Sequence, residues 1–130
     1  MKARCALLAT AAWLGIAVPV PAHHSFAAEF DINKPVTLSG AVTRLEWRNP
    51  HVWFYIDVKG QGAAVTNWGL EMGSPNGLIR AGWTRASMKV GDPVSVEGFL
   101  ARDGSHTANA RAVTLTSTGQ RLFAASSQPK

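Results

Sequence analysis

Short stretches of alternating apolar and polar residues, each ended by glycine, proline or asparagine, constrain the fold of this chain more than any other feature. In the clearest stretch, every second residue from Val52 to Val58 is aliphatic or phenylalanine. Successive side chains of a strand point to opposite faces of a sheet, so this alternation predicts a strand with one apolar face. Long stripes with helical spacing do not occur in the sequence. The chain is therefore expected to be mainly β.

Five or six such strands and a helical connection are expected. A change of phase near Gly40 predicts a bulge that lets the first strand serve two sides of a closed sheet. Ser74 and Pro75 are typical of a helix start and Gly82 of a helix stop, which predicts one or two short helices between strands 3 and 4. The expected strands are residues 36–47, 52–59, 65–72, 94–100 and 110–116, with a short edge strand at 120–123.

This order of elements is typical of a small OB-like barrel, the fold of oligonucleotide- and oligosaccharide-binding domains. Another five- or six-stranded barrel is the alternative. The composition agrees with one compact domain, since the 130 residues are 46% hydrophobic and 16% charged and carry a formal net charge of +5. Such values exclude a disordered chain and a two-lobed enzyme with a cleft between its lobes.

The first 22 residues have the pattern of a secretory signal peptide. Lys2 and Arg4 precede an apolar run over residues 6–20, and small residues end at Ala22. The run is shorter than the about 20 residues of a membrane helix, so we expect cleavage before His23 and no stable span afterwards. A retained membrane anchor is the alternative. The expected organisation is a cleavable signal peptide (1–22), an N-terminal arm (23–35), the barrel (36–123) and a flexible tail (124–130).

The expected cleavage defines the setting of the remaining chain as periplasmic. It would also lower the formal net charge from +5 to +3 by removing Lys2 and Arg4. The single cysteine, Cys5, lies in the leader. The mature chain would then lack disulfides, cysteine-type zinc sites, thiolate nucleophiles and iron–sulfur clusters.

The strongest chemical feature is the pair His23 and His24 at the expected new terminus. A terminal amine, an amide nitrogen and nearby imidazoles form a nitrogen set that suits Cu(II) or Ni(II). The sequence therefore predicts a copper or other divalent metal site at His23 and His24, with His51 as a third ligand and His106 as an alternative to it. The competing interpretation is a mobile terminus without a ligand.

A second candidate site is the aromatic rim between the first two strands. Trp and Tyr rings can stack on a ligand, and Arg can pair with an anion. Glu71, at the end of the third strand, is a conceivable metal ligand or base. The competing interpretation is a rigid loop whose aromatic residues fill the core. The candidate ligand-binding residues are Trp47, Arg48, Asn49, Trp53, Glu71 and Trp83.

Catalytic and nucleic-acid patterns are weak. Asp103, Ser105 and His106 lie together in a short turn, which cannot align three side chains in a relay. The glycines at residues 60–62 precede a strand and so do not form a phosphate loop. Arginines alternate with acidic residues, and the net charge is modest for a nucleic-acid-binding protein. We therefore expect neither an enzyme nor a nucleic-acid partner.

Three runs of sequence carry a resemblance. They are HHSF at residues 23–26, WRNPHVWFYIDV at 47–58 and EMGSPNGLIRAGW at 71–83. Together they resemble an uncharacterised family of small exported bacterial proteins, a domain of unknown function found mainly in Gram-negative organisms. The resemblance implies a periplasmic setting and a small β barrel, and no reaction.

The sequence thus predicts a non-enzymatic periplasmic binding or accessory protein. Copper or a similar divalent metal is the more specific prediction. The alternative is a module that binds a small organic ligand or an envelope protein through its aromatic rim, with the histidines uninvolved. Fluorescence distinguishes the two, since only the rim predicts a metal-independent change at Trp53.

Overall fold

The computed structural model describes residues 25–124 and residue 126. These residues form a mainly β fold, as expected, with two short helices, of which one lies between the third and fourth strands. The His23 and His24 predictions lie outside the described residues. The elements in chain order are α1 (Phe26–Glu29), β1 (Phe30–Glu46), β2 (Trp53–Lys59), β3 (Val65–Glu71), α2 (Pro75–Arg80), β4 (Pro93–Ala101), β5 (Thr107–Leu115) and β6 (Arg121–Phe123).

The strands form one six-stranded sheet in the order β3-β2-β1-β4-β5-β6. Neighbours in this order are antiparallel. In addition, residues 69–71 of β3 pair in parallel with residues 107–109 of β5, which closes β1, β2, β3, β5 and β4 into a ring. Strand β6 lies outside the ring against β5. The two ends of the sheet therefore meet where β3 ends and β5 begins.

Strand β1 begins at Phe30, earlier than residue 36 expected from the sequence. Its length lets it pair with β4 through residues 35–41 and with β2 through residues 41–46. The expected irregularity occurs between Val42 and Arg44, where the pairing with β2 shifts. At Gly40 the chains approach closely instead, since an added Cβ would lie 2.3 Å from the Asp57 carbonyl oxygen. Strand β1 thus lies directly against the backbone of β2 at Gly40.

The connection between β3 and β4 contains helix α2 where the sequence predicted a helix. The Ser74 hydroxyl accepts a hydrogen bond from the Gly77 amide at 3.1 Å and caps the helix, and Pro75 is its first residue. A second helix is absent from the described part of this connection. Near Thr84 the chain makes a turn instead, in which the Thr84 amide donates to the Ser87 hydroxyl.

Apolar side chains on the inner face of the ring form the main core. A smaller cluster at one end joins Phe26 of α1 to Phe30, Ala101 and Phe99. The Phe26 and Phe99 rings pack edge to face with centroids 5.9 Å apart. Burying one such ring contributes about 2 kcal/mol, so this cluster holds α1 against β1 and β4. The largest buried side chains of the main core include Phe54, Ile56, Leu70, Met72 and Leu78.

Neither α1 nor α2 is long and apolar enough to cross a membrane, and they are the helices of residues 25–124 and 126.

Candidate functional site

Four residues on neighbouring strands form a row at the end of the sheet where the ring closes. Glu46 of β1 lies opposite Trp53 of β2, Trp53 opposite Glu71 of β3, and Glu71 opposite Asn109 of β5. Residues opposite one another on paired strands point to the same face. This face is turned away from the core because the adjacent Leu70 points inward, fully buried.

Glu71 is buried in this row, with 5% of its surface exposed. Its Oε1 atom lies 3.2 Å from Nδ1 of His51 and accepts a hydrogen bond from Nδ2 of Asn109 at 3.3 Å. Burial raises the pKa of the Glu71 carboxyl, and the neighbouring charge of Glu29 adds to the rise. The charge of His51 and the hydrogen bonds from His51 and Asn109 lower the pKa and offset part of the rise.

His51 reaches Glu71 because the backbone next to it is attached to the end of β3. The Val52 amide donates to the Gly73 carbonyl at 3.0 Å, and the Met72 amide donates to the Val52 carbonyl at 2.8 Å. Val52 itself is fully buried. The His51 side chain, in contrast, is 23% exposed, so the imidazole connects the buried carboxylate with the surface.

Helix α1 brings a second carboxylate to the same end of the sheet. The Arg102 amide donates to the Glu29 carbonyl at 2.8 Å, and Nε of the Arg102 side chain donates to the Ala27 carbonyl at 2.8 Å. These bonds attach α1 to the end of β4. The charge of Glu29 contributes to the raised pKa of Glu71. The described chain enters this region at Ser25, the residue that follows His24.

Of the three metal ligands expected from the sequence, His51 is the one that lies in the described residues. His106 packs edge-on against Trp68, with ring centroids 5.1 Å apart. Within residues 25–124 and 126, no three histidine, cysteine, aspartate or glutamate side chains converge as ligands for a metal ion. A complete shell would need donors from outside this part of the chain.

The residues of the expected aromatic rim occupy different environments. Trp53 is half-buried beside Glu71 in the row, whereas Trp83 is 2% exposed and belongs to the main core. The Trp83 indole donates to the Phe123 carbonyl at 2.8 Å. Trp47 is partly buried against the core, with the Arg85 guanidinium 5.6 Å from its ring centroid. Trp53 is the tryptophan that the structure brings to Glu71.

The other two rim residues lie in the exposed connection between β1 and β2. Arg48 pairs with Glu46 of the row, with 2.7 Å between Nη2 and Oε2. Asn49 is exposed and joined to Pro50 by a cis peptide bond. Arg48 is thus connected to the row through Glu46.

A groove of about 440 Å³ lies beside the row. It is bounded by α1, by Trp53, and by the turn between β4 and β5 at residues 102–106. This volume is within the about 300–1,000 Å³ typical of small-molecule sites. Its polar and aromatic lining residues are Glu29, Phe30, Trp53, Arg102, Asp103, Ser105 and Thr107.

Sequence reasoning missed Asn109 and Glu29. Asn109 is fully buried and lies between Ala108 and Ala110. A polar residue in an otherwise apolar strand needs a buried partner, and this was the available signal. Glu29 has no comparable signal, because α1 has four residues and leaves no periodic pattern.

The model of a family of unknown function, DUF6152, matches residues 12–110 of the chain. The matched segment includes Glu29, His51, Glu71 and Asn109. No curated protein matches the chain.

Proposed function

The chain belongs to this family of unknown function, and we propose that it is a non-enzymatic periplasmic protein that binds a divalent metal ion, copper in particular, through His51 and its N-terminal histidines. The observation that carries the proposal is the contact of the half-buried His51 imidazole with the buried Glu71 carboxylate at 3.2 Å. Metal-binding histidines commonly donate their other ring N–H to a carboxylate, which fixes the tautomer and raises the basicity of the coordinating nitrogen.

The contact supports different roles for the two residues in this proposal. His51 Nδ1 faces Glu71, so coordination would use Nε2. Glu71 would then orient the imidazole, and Asn109 would hold Glu71 in place through its hydrogen bond to Oε1. The exposed fraction of His51 gives a metal ion access from solvent.

The remaining ligands come from the sequence before α1. His24 is joined directly to Ser25, and consecutive Cα atoms are about 3.8 Å apart, so His24 is tethered to the start of a helix that is attached at the same end of the sheet. The α-amine of a chain that begins at His23, the two imidazoles and His51 would supply nitrogen donors. Such donors in a planar arrangement suit Cu(II).

Export and the barrel description are parts of the same proposal. The basic start, apolar run and small residues of the first 22 positions support cleavage before His23. The closed ring, with α2 between β3 and β4, supports an OB-like barrel as its finer description.

The test uses protein purified from the periplasm of a producing cell, with its intact mass measured first to establish the N-terminus. Titration with Cu(II) is expected to produce a d–d absorption band and an electron paramagnetic resonance spectrum with nitrogen hyperfine splitting. His51→Ala and His24→Ala should each weaken binding, whereas the control His106→Ala should retain it.

One added residue before His23 is a second test, because it moves the terminal amine without removing a histidine. Binding is expected to fall sharply. The proposal is wrong if Cu(II) leaves both spectra unchanged, or if neither the added residue nor His51→Ala alters the affinity.

A further inference from the structure

Hydrogen bonds between structural elements hold the walls of the groove beside the row in place. The backbone bond from the Arg102 amide to the Glu29 carbonyl joins α1 to the end of β4, and the Arg102 side chain is bonded to Ala27 of the same helix. Trp53 of β2 also lines the groove. The groove is therefore preformed, as small-molecule sites usually are.

The polar groups of the groove offer both acceptors and donors. Asp103 accepts a hydrogen bond from the Ser105 amide at 2.9 Å, and its hydrogen bonds with Ser105 lower the pKa of its carboxyl. Asp103 is therefore a charged acceptor at the mouth. Glu29 is a second carboxyl group in the lining, and Thr107 contributes a hydroxyl that both donates and accepts.

Trp53 is the largest apolar side chain of the lining, to which Ala28, Phe30 and Ala101 also contribute. Gly69, opposite Tyr55 on the neighbouring strand, has no side chain, and a Cβ there would lie 3.7 Å from Cζ3 of Trp53 and 3.3 Å from Cε1 of Tyr55. The Trp53 ring thus lies against the backbone of β3. This contact restricts the ring and provides a fixed aromatic surface.

These groups discriminate between ligand classes. An anion would meet the carboxyl groups of Glu29 and Asp103, while Arg102 is already engaged by Ala27 and lies 3.8 Å from Asp31. A purely apolar ligand would displace water from the polar groups of the groove at a cost in free energy. A sugar ring fits both features, because its hydroxyls donate and accept hydrogen bonds and its C–H face packs on an aromatic ring.

We propose that this groove binds a neutral saccharide, with one sugar ring on Trp53 and hydroxyl groups at Glu29, Asp103 and Thr107. This goes beyond the proposed metal function and does not depend on it. The saccharide site uses the side of the row that faces α1 and the β4–β5 turn, and it requires no ligand from the N-terminal histidines.

The test is saturation-transfer NMR on the exported protein in the presence of a chelator, with maltose, cellobiose and N,N′-diacetylchitobiose as probes. At least one disaccharide is expected to receive saturation from the protein. Trp53→Ala should raise its dissociation constant by about tenfold or more, as for the loss of an aromatic stacking partner.

Asp103→Ala is a second variant, and its exposed side chain can be removed without disturbing the core. It should also weaken binding, whereas Trp47→Phe, outside the groove, should leave it unchanged. Thermal unfolding followed by circular dichroism verifies that each variant is folded.

The inference is overturned if none of the three disaccharides receives saturation, or if Trp53→Ala and Asp103→Ala leave the transfer intact. Saturation transfer to choline that is lost in Trp53→Ala and Asp103→Ala, with none to the disaccharides, would overturn the inference and identify a site for an organic cation. Because a chelator is present throughout, failure of this test is independent of failure of the copper test.

Discussion

Glu71 is the residue whose environment differs most from that expected of its type. A carboxyl group on a strand is usually solvated, but here burial raises its pKa above the ordinary 4.5 while His51 and Asn109 bond to the same oxygen. A buried network of polar side chains stabilises a structure when every side chain has its hydrogen-bond partners. It destabilises the structure when one of them is removed.

The raised pKa of Glu71 predicts the direction of a pH effect on the metal-free protein. The folded state holds a proton at a pH where the unfolded state has released it, so this contribution to stability is fully present below about 4.5 and is lost as the pH rises through the folded pKa. Glu71→Gln should remove this part of the pH dependence. Urea unfolding at a series of pH values measures it, and parallel curves for both proteins would contradict the prediction.

Asn109→Ala tests the hydrogen bond that holds Glu71. Asn109 is fully buried, so we expect the free energy of unfolding to fall by about 1–3 kcal/mol from the lost bond and the vacated volume. Asn67→Ala is the matched control on the neighbouring strand β3, where the side chain is exposed, and it should cost less than about 1 kcal/mol. Denaturant unfolding of the two variants provides the comparison, and equal losses would show that burial is not the cause.

At the scale of elements, the pairing of β1 with both β2 and β4 and the attachment of α1 bring the site together. Strand β1 can pair with both of its neighbours because Gly40 has no side chain to meet the backbone of β2. Helix α1 is placed by Phe26, which packs against Phe30 and Phe99. Strand β1 therefore joins β2 and β4 within the ring, and helix α1 lies at the end where β3 and β5 close it.

Gly40→Ala should destabilise the fold, because the new methyl group would meet the Asp57 carbonyl oxygen at 2.3 Å and force the strands apart. Overpacking of this type costs about 1–3 kcal/mol. At Gly60 the nearest atom to an added Cβ is 3.6 Å away, so Gly60→Ala is the control that should be tolerated. Thermal unfolding compares them, and similar midpoints for both variants would be evidence against the close approach.

Phe26→Ala should loosen α1 and remove a buried ring. Loss of a fully buried phenylalanine lowers the free energy of unfolding by about 3–5 kcal/mol. The loss should be smaller here, because Phe26 lies near the surface. If α1 positions the N-terminal ligands, copper affinity will fall along with stability. Phe99→Leu is the comparison, because it keeps apolar volume under the helix. Copper titration of folded protein gives the result, and undiminished affinity in Phe26→Ala would separate α1 from the metal site.

At the scale of the whole molecule, copper binding would connect elements that are distant in sequence. A ligand that binds the folded state alone stabilises it by about 2.7 kcal/mol at 100 times its dissociation constant. Copper should therefore raise the midpoint of thermal unfolding of the unmodified protein and have little effect on His51→Ala. Differential scanning calorimetry with and without Cu(II) measures this, and equal shifts in both proteins would place the metal elsewhere.

The sequence predicts the strands well because their period of two is a local property. It does not predict α1, whose four residues are held by tertiary contacts of Phe26. His51 and Glu71 were each candidates, but their contact depends on the bonds of Val52 to Met72 and Gly73, which no spacing in the chain reveals. Trp83 is of a residue type that is common in binding sites, but its packing places it in the core.

Helix α1 runs into β1 without an intervening loop, since Glu29 is followed directly by Phe30. The consequence for metal capture is one of effective concentration. Once one imidazole holds the ion, donors on a short tether act as though present at about millimolar levels or above, and the later bonds form intramolecularly. Glycines inserted between His24 and Phe26 would lengthen the tether. They would lower the effective concentration of the N-terminal donors near the bound ion and speed the release of copper.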